Sequence, residues 1–233
     1  MTLDPKNIIV TGGSGNLGSA VTTKLLAKGY QLIATVPAEA MRRDFLPHPK
    51  LDIRVVDLSD EEQSGLFVKN AIDQYIRIDA AMLLVGGFTM GNLVATGGRE
   101  IRKQIALNFE TAYYLTKPLF AHMMAQGYGR ILFIGARPAL VPAQGKDLIA
   151  YGLSKSLLFK FAEFLNEEAK GKNVSVSVVV PSTLDTPLNR KSMPDVNPDD
   201  WVKPEALADI LEFIVSDSAL AIRETIFKVY GNA

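Results

Sequence analysis

The sequence contains no cysteine, and its 233 residues include only two histidines and one tryptophan. The absence of cysteine excludes disulfide bonds, thiolate metal sites and cysteine nucleophiles. A net charge is also lacking, because 25 Lys and Arg residues balance 25 Asp and Glu residues. Neutralising the phosphates of a nucleic acid requires a basic surface, so we expect no nucleic-acid partner. His48 and His122 have no neighbours at metal-ligand spacing, so no metal site is predicted.

Long apolar runs are missing as well. None of them approaches the roughly 20 residues that cross a bilayer. The first residues, Met1 to Lys6, include Asp4 and Pro5 and do not resemble a signal peptide. We therefore expect a cytoplasmic protein without a membrane partner. Apolar residues still make up 48% of the chain, which is enough for a packed core and too much for disorder.

Short apolar runs bounded by turn residues predict seven strands. Most of these runs are continuously apolar, as in a parallel sheet that is buried on both faces. The predicted strands cover residues 7–10, 31–36, 51–56, 80–85, 130–134, 174–180 and 225–230. Between the strands, apolar residues recur at the spacing of an amphipathic helix. This pattern begins at Leu17 in the first helix and continues in residues 61–76, 99–125, 152–169 and 204–216. This alternation predicts a single α/β domain over residues 1–233. Its expected form is a Rossmann-like, doubly wound parallel sheet with helices on both faces.

One segment, residues 182–203, breaks the alternation. It contains Pro187, Pro194 and Pro198 and few apolar residues. A loop of this length inside a compact domain is usually functional. We therefore interpret residues 182–203 as a substrate loop.

A glycine-rich turn follows the first strand and opens the first helix. Glycine allows a positive φ in such a turn and lets a pyrophosphate approach the backbone, while the helix N-terminus offers free N–H groups. The predicted cofactor contacts in this turn are Gly12, Ser14, Gly15, Asn16, Leu17 and Gly18. A tight turn without a ligand is the alternative.

Two further positions bear on the type of dinucleotide. Asp57 and Leu58 follow the third strand and could contact an adenine, although a helix cap would explain the aspartate equally well. The second strand ends at Val36 without the acidic residue that binds the 2′-hydroxyl of NAD. Arg42 and its neighbour Arg43 could instead face a 2′-phosphate, or could simply be solvated charges. The sequence thus favours NADP(H) over NAD(H).

A tyrosine and a lysine lie one helical turn apart at Tyr151 and Lys155. A nearby ammonium stabilises the phenolate and lowers the tyrosine pKa, which suits general acid catalysis. A second copy of this spacing occurs at Tyr113 and Lys117, in the middle of a predicted helix. Tyr151 instead begins a helix soon after the fifth strand, near the carboxyl edge where ligands bind. We therefore assign catalysis to Tyr151 and Lys155 and leave the other copy as helix surface or core.

Taken together, these motifs resemble the short-chain dehydrogenase/reductase family along essentially the whole chain. The residues that carry the resemblance are the glycine turn, Asp57, Gly86, Asn108, Tyr151, Lys155 and the stretch from Pro181 to Thr186. The resemblance implies a nicotinamide-dependent oxidoreductase that acts on a small molecule and forms a homodimer or homotetramer. It makes Tyr151 the proton donor, Lys155 a ribose ligand and Asn108 the holder of a water. It also places Gly86, Pro181 and Thr186 against the cofactor.

One departure from that family narrows the prediction. The serine that polarises a substrate carbonyl is replaced by Ala136, and losing such a donor costs about 10²–10³ in rate. Gly86-Gly87-Phe88, Gly135-Ala136 and the segment 183–194 resemble the dihydropteridine reductases, which reduce a conjugated ring rather than a ketone. The alternatives are a short-chain carbonyl or quinone reductase, with Thr183 or Gln144 replacing the serine, and a non-catalytic NAD(P)-binding protein.

Overall fold

A computed structural model describes residues 5–232. Seven parallel strands form one sheet in the order β3-β2-β1-β4-β5-β6-β7. The strands are β1 (Asn7–Thr11), β2 (Gln31–Val36), β3 (Leu51–Val55), β4 (Ala80–Leu83), β5 (Tyr128–Ile134), β6 (Asn173–Pro181) and β7 (Ile226–Val229). The predicted single-domain doubly wound sheet is confirmed. Each predicted strand is present, with ends that move by at most two residues.

Within residues 5–232, eight α-helices connect and cover these strands. They are α1 (Asn16–Ala27), α2 (Glu61–Tyr75), α3 (Gly98–Ile105), α4 (Thr111–Gln126), α5 (Pro142–Gly145), α6 (Ile149–Glu168), α7 (Pro187–Ser192) and α8 (Pro204–Val215). Apolar side chains of α2, α4 and α6 pack on one face of the sheet, whereas those of α1 and α8 pack on the other. Successive strand residues point to opposite faces, so Ile9 joins the first core and Ile8 the second.

The strand order reverses between β1 and β4. From β1 the chain first moves outward to β2 and β3, and it then returns to add β4 on the other side. The connections beyond the carboxyl ends of β1 and β4 therefore diverge, and they leave a crevice at this edge of the sheet. Thr11 and Leu83 are paired residues at the two sides of this crevice.

The helical region 99–125 differs from its prediction as one continuous helix. A π-helical turn, Ala106–Glu110, separates α3 from α4. Such a turn contains one residue more than a regular helical turn and often marks a functional position. Here it contains Asn108.

The segment 182–203 is more regular than the sequence predicts. Thr186 caps α7 by accepting a hydrogen bond from the Asn189 backbone N–H at 3.2 Å, and Pro187 occupies the first helical position, where its missing N–H costs nothing. A β-bridge between Leu184 and Val202 joins the two ends of the segment. Over residues 5–232, no helix is long and apolar enough to cross a membrane, and no three potential metal ligands cluster.

Candidate active site

The glycine turn has the geometry of an anion-binding loop. Gly12 has a φ of +65°, and a Cβ at Gly18 would overlap the Gly12 carbonyl oxygen and lie 2.8 Å from the Gly13 Cα. Gly15 precedes α1 at the N-cap position, and no side chain in residues 5–232 caps this helix. The first N–H groups of α1 are therefore free to bind a negatively charged group such as a pyrophosphate. The turn thus fits a dinucleotide cofactor.

Thr11 attaches this turn to the neighbouring strand. Its buried hydroxyl accepts hydrogen bonds from the backbone N–H groups of Leu84 at 2.9 Å and Val85 at 3.3 Å. The connection after β4 is therefore fixed beside the glycine turn. Gly86 follows within this same connection, so the carboxyl edge of β4 contributes directly to the crevice. Sequence reasoning missed the role of Thr11, although a threonine before the glycines was visible.

Gly86, Asn108 and Lys155 converge at one point. A Cβ on Gly86 would lie 2.7 Å from Asn108 Oδ1 and 2.9 Å from Lys155 Nζ, so any other residue there would displace these side chains. Asn108 Oδ1 accepts a hydrogen bond from the Gly87 N–H at 2.9 Å, and Lys155 Nζ donates to the Ile134 carbonyl oxygen at 2.8 Å. The connection after β4 is thus joined to the π-helical turn, and the end of β5 is joined to α6.

Asn108 belongs to a buried polar network that the sequence did not reveal. Its Nδ2 group lies within hydrogen-bonding distance of Gln104 Oε1 at 2.8 Å, the Gly87 carbonyl oxygen at 3.0 Å and Ser154 Oγ at 3.0 Å. The Ser154 hydroxyl also donates to the Tyr151 carbonyl oxygen at 2.8 Å. A signal was present, because Gln104 precedes Asn108 by one helical turn and Ser154 lies between Tyr151 and Lys155.

The electrostatics of the tyrosine–lysine pair differ from the prediction. Burial raises the pKa of Tyr151 to about 12, whereas the sequence predicted that Lys155 would lower it. Burial also lowers the pKa of Lys155 from 10.5 to about 8. Lys155 does not offset the effect of burial on Tyr151, because its ammonium group is directed at the carbonyl oxygen of Ile134. The prediction of a lowered Tyr151 pKa is therefore wrong for the protein without a ligand.

Asp57 and Leu58, the predicted adenine contacts, follow β3. Leu58 is buried, whereas the exposed Asp57 carboxylate accepts hydrogen bonds from the Ser59 N–H at 3.0 Å and the Ser59 hydroxyl at 2.6 Å. Asp60, and not Asp57, caps α2. The helix-cap interpretation of Asp57 is therefore wrong, and its carboxylate remains at the edge of the crevice.

Arg42 lies in an exposed 3₁₀ turn, Glu39–Asp44, that follows β2. Its guanidinium group forms an ion pair with Glu39, with the Nε–Oε1 distance at 2.9 Å. Ser14 of the glycine turn contacts Met41 of this 3₁₀ turn, and the distance from Ser14 Oγ to Met41 Sδ is 3.7 Å. The 3₁₀ turn therefore adjoins the glycine turn, where a 2′-phosphate would be recognised.

The segment 182–203, predicted to be a substrate loop, follows β6 at the same edge of the sheet. Pro181 ends β6, and Thr186 is buried at the start of α7. Asp185 and Arg190 form a two-point ion pair with distances of 2.6 and 2.8 Å. A cleft of 310 Å³ connects this loop to the glycine turn, and its lining includes Asn16, Asp185 and Arg190.

Apolar side chains also occur near Tyr151 and after β5. Ala136 is buried after β5 at the position of the missing serine. The Phe88 ring contacts the Tyr151 ring edge to face, with centroids 5.1 Å apart. Loop 88–91 is also held against the start of α6, because the Gly91 N–H donates to the Asp147 carbonyl and the Ile149 N–H donates to the Gly91 carbonyl. A largely exposed aromatic ring therefore adjoins the phenol.

The second tyrosine–lysine copy lies away from this edge. Tyr113 is 37% exposed on α4, and its ring contacts Phe109 and Phe161. Lys117 is exposed and forms an ion pair with Glu61 at 3.7 Å. The interpretation of this copy as ordinary helix surface agrees with these contacts.

Known proteins share both the sequence and the fold. A family model described as short chain dehydrogenase matches residues 6–197. A dihydropteridine reductase from Dictyostelium discoideum is 31% identical over 210 residues, covering 88% of this chain and 86% of that protein. An acetoacetyl-CoA reductase from Acinetobacter is 29% identical over 200 residues, covering 83% and 80% respectively. A solved oxidoreductase from Burkholderia thailandensis has a TM-score of 0.85 at 25% identity, covering 98% of this chain and 92% of that one. The chain therefore belongs to the short-chain dehydrogenase family of oxidoreductases.

Proposed function

We propose that this protein is an NAD(P)H-dependent reductase whose substrate is a quinonoid dihydropteridine or a similar conjugated ring. The observation that carries the proposal is the combination of Tyr151, Lys155 and Asn108 at one edge with the buried Ala136 in place of a hydroxyl donor. A conjugated ring spreads the charge that develops during reduction, so it depends less on that donor than a ketone does. The similarity to a dihydropteridine reductase supports the same substrate class.

The cofactor would lie across the crevice between the glycine turn and the substrate loop. Residues proposed to hold it are Gly12, Ser14, Gly15, Asn16, Leu17 and Gly18 at the pyrophosphate, Asp57 and Leu58 at the adenine, Arg42 at a 2′-phosphate, and Gly86, Lys155, Pro181 and Thr186 towards the nicotinamide. When bound there, a reduced nicotinamide supplies a hydride. The preference for NADP(H) rests on Arg42 and on the absence of an acidic residue at Val36.

Proton delivery is the proposed task of the protein itself. Tyr151 has a pKa of about 12, so its phenol keeps its proton at neutral pH and can donate it to a ring heteroatom of the substrate. Lys155 would bind ribose hydroxyl groups and bring positive charge to the phenol as the proton leaves. Asn108 would hold a water that resupplies the proton, since its amide lies beside both Lys155 and Ser154.

The test is the oxidation of NADPH or NADH by wild-type protein with chemically generated quinonoid dihydropterin. We expect turnover above the uncatalysed background, and we expect Tyr151→Phe to lower kcat by about 10²–10⁴. Tyr113→Phe is the matched control, because it removes the same hydroxyl from the second copy, and we expect it to retain activity. Background rates with both cofactors would refute the proposal.

A ketone reductase is the competing function, and the similarity to an acetoacetyl-CoA reductase gives it a basis. A panel of ketones, including a β-ketoacyl thioester, separates the two. If ketones are reduced efficiently and Tyr151→Phe abolishes this activity, then the substrate class proposed above is wrong. Tight NAD(P)H binding without reduction of either class would instead indicate a non-catalytic binding protein.

We further propose a homodimer or homotetramer that associates through the regions 99–125 and 152–169. Apolar side chains on the outer surface of α6 support this assignment, because Phe164 is 65% exposed and Leu153 is 52% exposed. Single apolar residues are common on surfaces, but two on one long helix are consistent with a buried contact in an oligomer.

A further inference from the structure

Arg137 is a charged side chain that the mechanism above does not use. It directly follows Ala136 and begins a 3₁₀ turn, Arg137–Ala139, at the carboxyl end of β5. Its guanidinium carbon lies 4.7 Å from the centre of the Tyr230 ring. The Nε atom is buried and has no hydrogen-bond partner among residues 5–232. A buried donor without a partner is rare in a folded protein and requires an explanation.

The sheet order shows where this side chain lies. Arg137 follows β5 and Tyr230 follows β7, and β6 lies between these two strands. To reach Tyr230, the arginine must therefore cross the carboxyl end of β6. The first residue after β6, Ser182, donates a hydrogen bond to the Tyr230 carbonyl oxygen at 2.7 Å. The guanidinium thus lies at the base of the substrate loop, on the same edge of the sheet as Tyr151.

The charge of Arg137 is available for a ligand. Arg190, in the same region, uses two of its donors on Asp185. In contrast, the ion pairs within residues 5–232 include none to Arg137. The cation–π contact with Tyr230 does not use the guanidinium N–H groups as hydrogen-bond donors to a charged partner. Arginine stays protonated at all relevant pH values, so these donors do not depend on titration.

We propose that Arg137 binds the substrate and donates hydrogen bonds to the carbonyl or ring acceptor on which negative charge develops. It would not replace the hydroxyl donor that Ala136 lacks at the reacting atom, but would bind an acceptor elsewhere on the conjugated ring, which a simple ketone does not have. The inference rests on the proposed function. It identifies the residue of the same site that would stabilise the developing negative charge. It restricts the substrate to compounds with a hydrogen-bond acceptor conjugated to the atom that receives the hydride.

The experiment compares Arg137→Leu, Arg137→Lys and Arg137→Ala with the wild type, using quinonoid dihydropterin and NAD(P)H. We expect Arg137→Leu to lower kcat/KM by about 10²–10³, as the loss of a donor to a developing charge does. Arg137→Lys keeps the charge and should lie between Leu and the wild type. Cofactor affinity, measured by the fluorescence of bound NAD(P)H, should be unchanged. Arg99→Ala, at an exposed position on α3, is the control.

Chemical rescue separates a substrate contact from a structural role. Millimolar guanidinium, below denaturing concentrations, should restore activity to Arg137→Ala and should not restore it to Tyr151→Phe. If Arg137→Leu fails to fold, rescue of Arg137→Ala and the activity of Arg137→Lys decide the matter. Wild-type activity in Arg137→Leu, or a loss that guanidinium cannot rescue, would overturn the inference. An inactive wild type would instead remove the proposed function itself.

Discussion

The substitution Gly86→Ala tests directly whether Gly86 lies against Asn108 and Lys155. Gly86 does not have a positive φ, so alanine is compatible with its backbone conformation, and the cost is steric. The added Cβ would lie 2.7 Å from Asn108 Oδ1 and 2.9 Å from Lys155 Nζ. Both neighbours are buried, at 1% and 5% exposure, so neither can move into solvent. One of them must give up its present hydrogen bond.

The magnitude follows from these contacts. Overpacking in a dense interior costs about 1–3 kcal/mol. Displacing Lys155 weakens its 2.8 Å hydrogen bond to the Ile134 carbonyl oxygen, and a hydrogen bond of a charged group contributes about 1.5–3 kcal/mol. We therefore expect the free energy of unfolding to fall by about 4 kcal/mol. For a chain of this length, that corresponds to a Tm lower by roughly 8–16 °C.

Thermal unfolding followed by circular dichroism measures the effect. Gly65→Ala is a matched control, since Gly65 lies inside α2 and its Cβ would have no atom within 4 Å. Alanine has the higher helix propensity, so this variant should gain up to about 1 kcal/mol. NAD(P)H oxidation should fall in Gly86→Ala and persist in Gly65→Ala. Equal stability of Gly86→Ala and the wild type would show that the contact between Gly86, Asn108 and Lys155 is wrong.

Three other predictions concern charge and assembly. The pKa of Lys155 falls to about 8 on folding, so between pH 8 and 10 the unfolded chain binds more protons. Stability should therefore rise with pH in this window, by up to about 1.4 kcal/mol per pH unit, and urea titrations of Lys155→Met should lack this rise. Arg42→Ala should raise the KM for NADPH far more than the KM for NADH. Glu39→Gln removes the ion-pair partner of Arg42 and should lower the KM for NADPH. Equal effects on both cofactors would exclude a contact between Arg42 and a 2′-phosphate. Phe164→Glu should shift the protein to a smaller assembly in sedimentation velocity, whereas an unchanged mass would exclude this part of α6 from the interface.

The sequence predicted the sheet well because its signals are local. Each strand is a short apolar run between turn residues, and parallel strands bring their carboxyl ends to one edge. The positions of Gly12 and Tyr151 at that edge followed from the order of strands and helices, whereas Asn108 was identified only through the family resemblance. The roles of these residues in binding and catalysis remain predictions until activity is measured.

Contacts between distant segments could not be predicted in the same way. Asn108 meets Ser154 across 46 residues of sequence, and this contact depends on a π-helical turn that periodicity does not indicate. The direction of Lys155 was also unpredictable, because the carbonyl oxygen of Ile134 competes for its ammonium. The spacing of Tyr151 and Lys155 gives their distance along a helix but does not show which acceptor the lysine selects.

This competition bears on the pH dependence of the reaction in each direction. With Lys155 directed at Ile134, burial alone sets the pKa of Tyr151, and the phenol remains protonated up to about pH 12. A tyrosine in that state enters the site as an acid. Oxidation of an alcohol requires a base at the same position, and forming the phenolate from a pKa of 12 at neutral pH costs about 7 kcal/mol. Reduction requires no such prior ionisation, so the rate of oxidation should rise with pH more steeply than the rate of reduction.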